Sequence, residues 1–111
     1  MLPSQFRLKL PPKWNRNYPD IKINTNLFKI IGKNSEGIEN PKVGFIISTK
    51  VGKAVLRNRT RRKLESMLLP KLEKSSSKLE VILIVYPSCA KSSDEEISAQ
   101  LNQVLSKIHI N

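Results

Sequence analysis

The sequence predicts a single α+β domain in which a sheet of short strands is packed by helices. Three β-branched runs are spread through the 111-residue chain, and two further segments carry apolar residues at helical intervals. A hydrophobic content of 39% is enough for a modest core, and the length suits one domain over residues 1–111.

The first 26 residues read as an irregular, partly helical segment. Pro3, Pro11, Pro12 and Pro19 each remove a backbone donor and crowd the preceding turn, so no long helix is expected there. Pro12 is tolerated at the start of one short turn over residues 13–18. Leu27 to Ile31 reads as the first strand, and Gly32 to Pro41 as a loop rich in Gly and Asn. Val43 to Thr49 is the second strand, bounded by Pro41 and Gly52. Leu79 to Tyr86 is nearly all apolar beyond Glu80, as expected of a strand in the middle of a sheet. A helix is predicted from Ala54 or Val55 to Leu69, with Leu56, Thr60, Leu64, Met67 and Leu68 on one arc. Leu72 extends that stripe, and Pro70 either ends or kinks the helix. Ser75-Ser76-Ser77 reads as a linker. The last helix begins at a capping box, Ser93 with Glu96, and Asp94, Glu95 and Glu96 suit the positive end of its dipole. Ile97, Leu101, Val104, Leu105 and Ile108 form its inward stripe.

The chain carries 20 basic and 9 acidic side chains, a formal +11. Residues 1–41 hold a net +4, residues 42–63 hold +8 with no acid at all, and residues 64–111 hold −1. Charge gathered this way raises the local potential far more than the same charge dispersed. A solvated helix face is the bland explanation, but four arginines within six positions and no neutralising acid favour nucleic acid. Arginine presents a planar fork matched to phosphate oxygens and stays charged at any working pH. Asn58, between Arg57 and Arg59, is either an ordinary surface residue or one that orients an arginine or reads a base or ribose edge. Gly52 suits a positive φ or close backbone approach to a phosphate; Gly44 marks a close backbone contact or is a plain strand position. Trp14 and Tyr18, four apart beside Lys13 and Arg16, are equally a base-stacking platform and two residues packing the N-terminal segment.

Protein-borne catalysis finds little support. His109, the lone histidine, lies third from the end, and no His, Cys or Asp cluster has metal-ligand spacing. Asp94-Glu95-Glu96 is accounted for by capping, and Val51-Gly52-Lys53-Ala54 lacks the upstream glycine of a P-loop. Cys89, the single cysteine, cannot form an internal disulfide and is expected to be an unreactive thiol in a reducing, cytoplasmic setting. The apolar run Val81–Tyr86 is too short to span a membrane, and no secretory signal is visible.

Residues 42–62, KVGFIISTKVGKAVLRNRTRR, closely resemble the signature of the protein subunit of bacterial ribonuclease P: a strand reading [KR]-x-G-x-x-[IV]-S-x-K, then [IV]-G-x-A-V-x-R-N-R-x-[KR]-R. The resemblance extends more loosely over most of the chain. It implies a small two-layer sandwich, a mixed sheet packed by helices, with a left-handed β-α-β crossover carrying the Arg-Asn-Arg motif. Without it, the general preference for right-handed crossovers would prevail. It further implies a protein that partners a catalytic RNA and promotes removal of the 5′ leader from precursor tRNA, with Mg²⁺ held mainly by the RNA and no cofactor bound by the protein. Carried over by position, Lys50, Lys53, Arg57, Asn58, Arg59, Arg61 and Arg62 would bind the RNA subunit, and Trp14, Tyr18 and Phe28 would line the leader cleft. Two features depart from the family pattern: Pro11, Pro12 and Pro19 confine the first helix, and Glu65 stands where the family often has a base. The expected partners are ribonuclease P RNA and precursor tRNA, without a membrane or an obligate protein partner. A structural ribosomal or ribosome-assembly protein is the alternative, and a stand-alone nuclease a weaker third.

Overall fold

The computed structural model describes residues 2–10, 19–35 and 37–108. Four strands form one sheet: β1 (Ile21–Asn24), β2 (Phe28–Asn34), β3 (Lys42–Ile47) and β4 (Leu79–Val85). Among the described residues, three α-helices accompany it: α1 (Ala54–Lys74), α2 (Pro87–Ala90) and α3 (Asp94–Lys107). The spatial order is β1-β2-β4-β3. β1 and β2 are antiparallel, as are β2 and β4, whereas β3 runs parallel to β4. The predicted mixed sheet packed by helices is therefore observed, and α1 is the crossover between its two parallel strands.

Strand β4 lies in the interior of the sheet, as its unbroken apolar run predicts. Its Leu79, Val81, Leu83 and Val85 face the main core with Phe28 and Ile30 of β2, Val43 of β3, and the buried stripes of α1 and α3. All five apolar residues of the α3 stripe are buried. Ser93 Oγ accepts the Glu96 N–H at 3.2 Å, one half of the predicted capping box. The opposite sheet face carries a smaller cluster of Leu8, Ile31 and Ile82, with Ile46 and Ile84 packed against it.

Four elements differ from expectation. Strand β2 runs on to Asn34, taking the first three residues of the predicted Gly32–Pro41 loop into its pairing with β4. The segment before residue 27 contains β1, a four-residue edge strand whose Ile21 and Ile23 turn toward the main core. Thr25 closes the β1–β2 turn: its Oγ1 accepts the Leu27 and Phe28 N–H groups and donates to the Phe28 carbonyl. Helix α1 runs through Pro70 to Lys74, because Leu68 and Leu72 on either side of the proline are both buried. The carbonyl that Pro70 leaves without its helical donor belongs to Ser66, an exposed residue that water can reach. Residues 87–90, read as turn-like, form a helical turn that starts at Pro87, where a missing N–H is harmless.

The N-terminal segment wraps the outer edge of β3. A 3-10 turn at Ser4–Phe6 places Phe6 in the main core, Arg7 makes a parallel bridge to Val43, and the Leu8 N–H donates to the Val43 carbonyl at 3.0 Å. Glu65, only 7% exposed, accepts the Leu2 N–H at 3.2 Å and ties this segment to α1.

Candidate nucleic-acid interface

The basic stretch is built by a strand, a turn and a helix in succession. After β3, Ser48 Oγ accepts the Lys50 N–H and opens a 3-10 turn at Thr49–Val51 whose Val51 is buried. Gly52 follows at φ 149°, a conformation L side chains rarely adopt. Lys53 occupies the cap position of α1. The chain thus passes from β3 to α1 within six residues, 48–53.

Lys50, Lys53, Asn58, Arg59 and Arg62 are exposed, while Arg57 and Arg61 are half-buried. The motif divides over two sides of the helix. Val55, Asn58, Arg59 and Arg62, at helical spacing, line one shallow concavity of about 410 Å³. Arg57 instead turns back, its Nε donating to the Gly52 carbonyl at 3.2 Å, so it braces the glycine turn. Arg61 lines a separate cavity of about 310 Å³ with Arg7, Leu8, Leu10, Gly44 and Glu65. Lys63 pairs with Asp94 at 2.8 Å, which joins α1 to the start of α3 and draws one cation of the stretch into a structural contact. Glu65 anchors the N-terminal segment, a reason internal to the fold for an acid on this helix. Gly44 meets a close approach: a Cβ there would stand 3.4 Å from the Leu8 carbonyl oxygen and 3.2 Å from a Leu10 methyl.

The expected leader-side residues fare differently. Trp14 and Tyr18 lie outside the described residues, as does His109. Phe28 is 0% exposed, so its ring is a core element and offers no face to a base; this corrects its assignment to the leader cleft. Register explains why. Phe28 is opposite Val85 and shares its core-facing side, whereas Lys29 and Ile31 alternate to the other side of the sheet. That second face sets the half-buried Ile46 and Ile84, with the buried Ile31 and Ile82, among Lys22, Lys29, Lys33 and Lys42, and Glu80 stands between the last two: an apolar centre with a mostly cationic border. Strict alternation from the buried Phe28 would have placed Lys29 on that face from the sequence.

Two acid–base features are resolved. Asp20 is held below the usual carboxylate range, first by the Asn34 N–H that donates to it at 2.9 Å and also by Lys33. Burial pushes the Cys89 thiol up to about 11, with nearby Lys63 pulling the other way. Among the described residues, no group of three or more His, Cys, Asp or Glu side chains could hold a metal ion. No helix there is long and apolar enough to cross a membrane.

A mixed four-stranded sheet with a cationic crossover helix, Asn58, Arg59 and Arg62 exposed along one side of it, is the frame of an α+β protein suited to RNA. The family model described as Ribonuclease P matches residues 2–109, and the chain belongs to that family. It is similar to the ribonuclease P protein component of Alkaliphilus oremlandii, 29% identical over 104 residues, covering 94% of this chain and 91% of the relative. The corresponding component of Enterococcus faecalis is 36% identical over 64 residues, covering 58% of this chain and 54% of the relative. Among solved structures, the RNase P protein from Staphylococcus aureus shares the fold with a TM-score of 0.73 at 23% identity, over 99% of this chain and 95% of that one.

Proposed function

We propose that this chain acts as the protein subunit of ribonuclease P, binding the catalytic RNA and the 5′ leader of precursor tRNA so that the RNA removes the leader. The observation that carries this reading is the glycine turn and cationic start of α1, a 22-residue stretch with eight bases and no acids. Lys50, Lys53, Asn58, Arg59 and Arg62 would contact the RNA subunit directly, with Arg61 beside them. Arg57 would act mainly by fixing the turn from which the helix projects. Arginine forks at phosphates neutralise repulsion between two polyanions and fix their register. Catalysis is assigned to the RNA, which would hold the Mg²⁺. On the protein side no cofactor, membrane or obligate protein partner is invoked, and the setting is the cytoplasm.

The leader is assigned to the sheet face bearing Lys29, Ile46 and Ile84, with Trp14 and Tyr18 of the N-terminal segment as its stacking partners. An apolar floor with a mostly cationic border suits single-stranded RNA, whose bases find a surface and whose phosphates find charge. The family match over nearly the whole chain favours this function over a ribosomal role. The test is precursor-tRNA cleavage by the cognate RNA at low Mg²⁺, with and without the protein. Faster cleavage and a lower Mg²⁺ requirement are expected with it; an unchanged rate would sink the proposal.

A further inference from the structure

Val55 is 71% exposed, in the first turn of a helix whose neighbouring side chains are mostly ionic. The other large hydrophobic residue exposed among those described, Leu10, is 39% exposed and packs against Gly44. Valine is a poorer helix former than alanine, and a side chain this open adds little to the core. Its position is nevertheless specific. It shares one concavity with Asn58, Arg59 and Arg62, and among the described residues no acid pairs with those three side chains. An isopropyl group has no attraction for phosphate. An uninterrupted A-form duplex would offer it only phosphates, 2′-hydroxyls and base edges, whereas an unstacked nucleotide offers a base face.

We propose that this concavity receives an unstacked nucleotide of the RNA partner, with Val55 against the base or ribose face, Arg59 and Arg62 on the flanking phosphates, and Asn58 on a base or ribose edge. The inference rests on the functional reading above and adds what the face selects: a looped-out or bulged position, not continuous helix. Charge then supplies the salt-sensitive part of the affinity, and Val55 a salt-insensitive part.

The experiment measures affinity for ribonuclease P RNA, and for a continuous RNA duplex of similar length, across a range of salt. Val55→Ala and Val55→Thr are expected to weaken binding to ribonuclease P RNA on the order of tenfold at every salt concentration, leaving the log–log slope unchanged. Their duplex binding should match wild type, and Val55→Ile should keep wild-type affinity. Arg59→Ala should instead flatten the slope. Both Val55 variants should keep the wild-type far-UV spectrum, since alanine favours the helix and threonine keeps the branched shape. Wild-type affinity in Val55→Thr, equal losses on RNA and duplex, or a changed slope would each overturn the inference. A wild-type protein that binds the two RNAs alike would remove the functional reading itself, and this inference with it.

Discussion

At the scale of single residues, the fold separates groups that chemistry alone would leave equivalent. Cys89 and Asp20 show this through their protons. The Cys89 thiol, carried by α2, is fully buried in the core and is pushed up to about 11 from an ordinary value of 9.0. Between those values the unfolded thiol ionises while the folded one keeps its proton. The unfolded state then binds fewer protons, so stability falls as pH rises through this window and is complete below about 9. The expected outcome is that Cys89→Ala loses less stability than wild type between pH 9 and 11 in urea titrations, a comparison that cancels the ionising lysines. Alkylation near pH 8 should be slow in the folded protein and fast in denaturant; rapid labelling of the native state would contradict the burial. Asp20, at the surface, has the opposite sign, its carboxylate favoured by the Asn34 N–H and Lys33. Its contribution is present above the unfolded carboxylate range and disappears as pH falls through the lowered folded value.

At the scale of elements, the decisive feature is the turn that aims α1. Gly52 at φ 149° and ψ −167° occupies a backbone region almost confined to glycine, and a Cβ there would stand 2.6 Å from a Leu56 methyl. Leu56 can rotate aside, but the backbone strain stays. Gly52→Ala is therefore expected to cost on the order of 1–3 kcal/mol in urea denaturation and to weaken RNA binding beyond that, because Arg57 grips the same carbonyl. Wild-type stability would show that the turn relaxes freely. Helix α3 was legible in full because capping and periodicity agreed along one uninterrupted stripe. Strand β1 was not, since four residues between prolines and asparagines carry only two inward side chains. The far end of α1 was ambiguous for a related reason. Pro70 argues locally for a stop, and only the burial of Leu72 under the tertiary fold overrides it. The leader-side assignment failed at Phe28 for want of register: one step along a strand reverses the face, and the register came from pairing with β4.

At the scale of the whole molecule, a formal +11 is a repulsive load that the fold concentrates and leaves largely uncompensated. Lys33–Asp20 and Lys63–Asp94 pair two of the basic side chains with acids already counted in that net charge, while Arg59 and Arg62 of α1 remain without acids among the described residues. The composition alone pointed to a polyanion; the structure distributes the charge between a helix start and the border of a sheet face. A protein in this state should be stabilised by any multivalent anion that occupies those sites, because a ligand bound only by the folded form adds RT ln(1 + [L]/Kd). At ten times Kd this is about 1.4 kcal/mol, enough to raise the midpoint of a domain this size by roughly 4–10 °C. Sulfate also strengthens apolar burial without binding any site, so the rise alone does not discriminate. The discriminating comparison sets millimolar sulfate against chloride of matched ionic strength, in wild type and in a variant carrying Arg59→Ala and Arg62→Ala. Site binding predicts a saturating rise that shrinks in the double variant. A rise equal in both proteins would assign it to solvent, and equal midpoints in the two salts would show that the cations of α1 act on RNA only as dispersed charge.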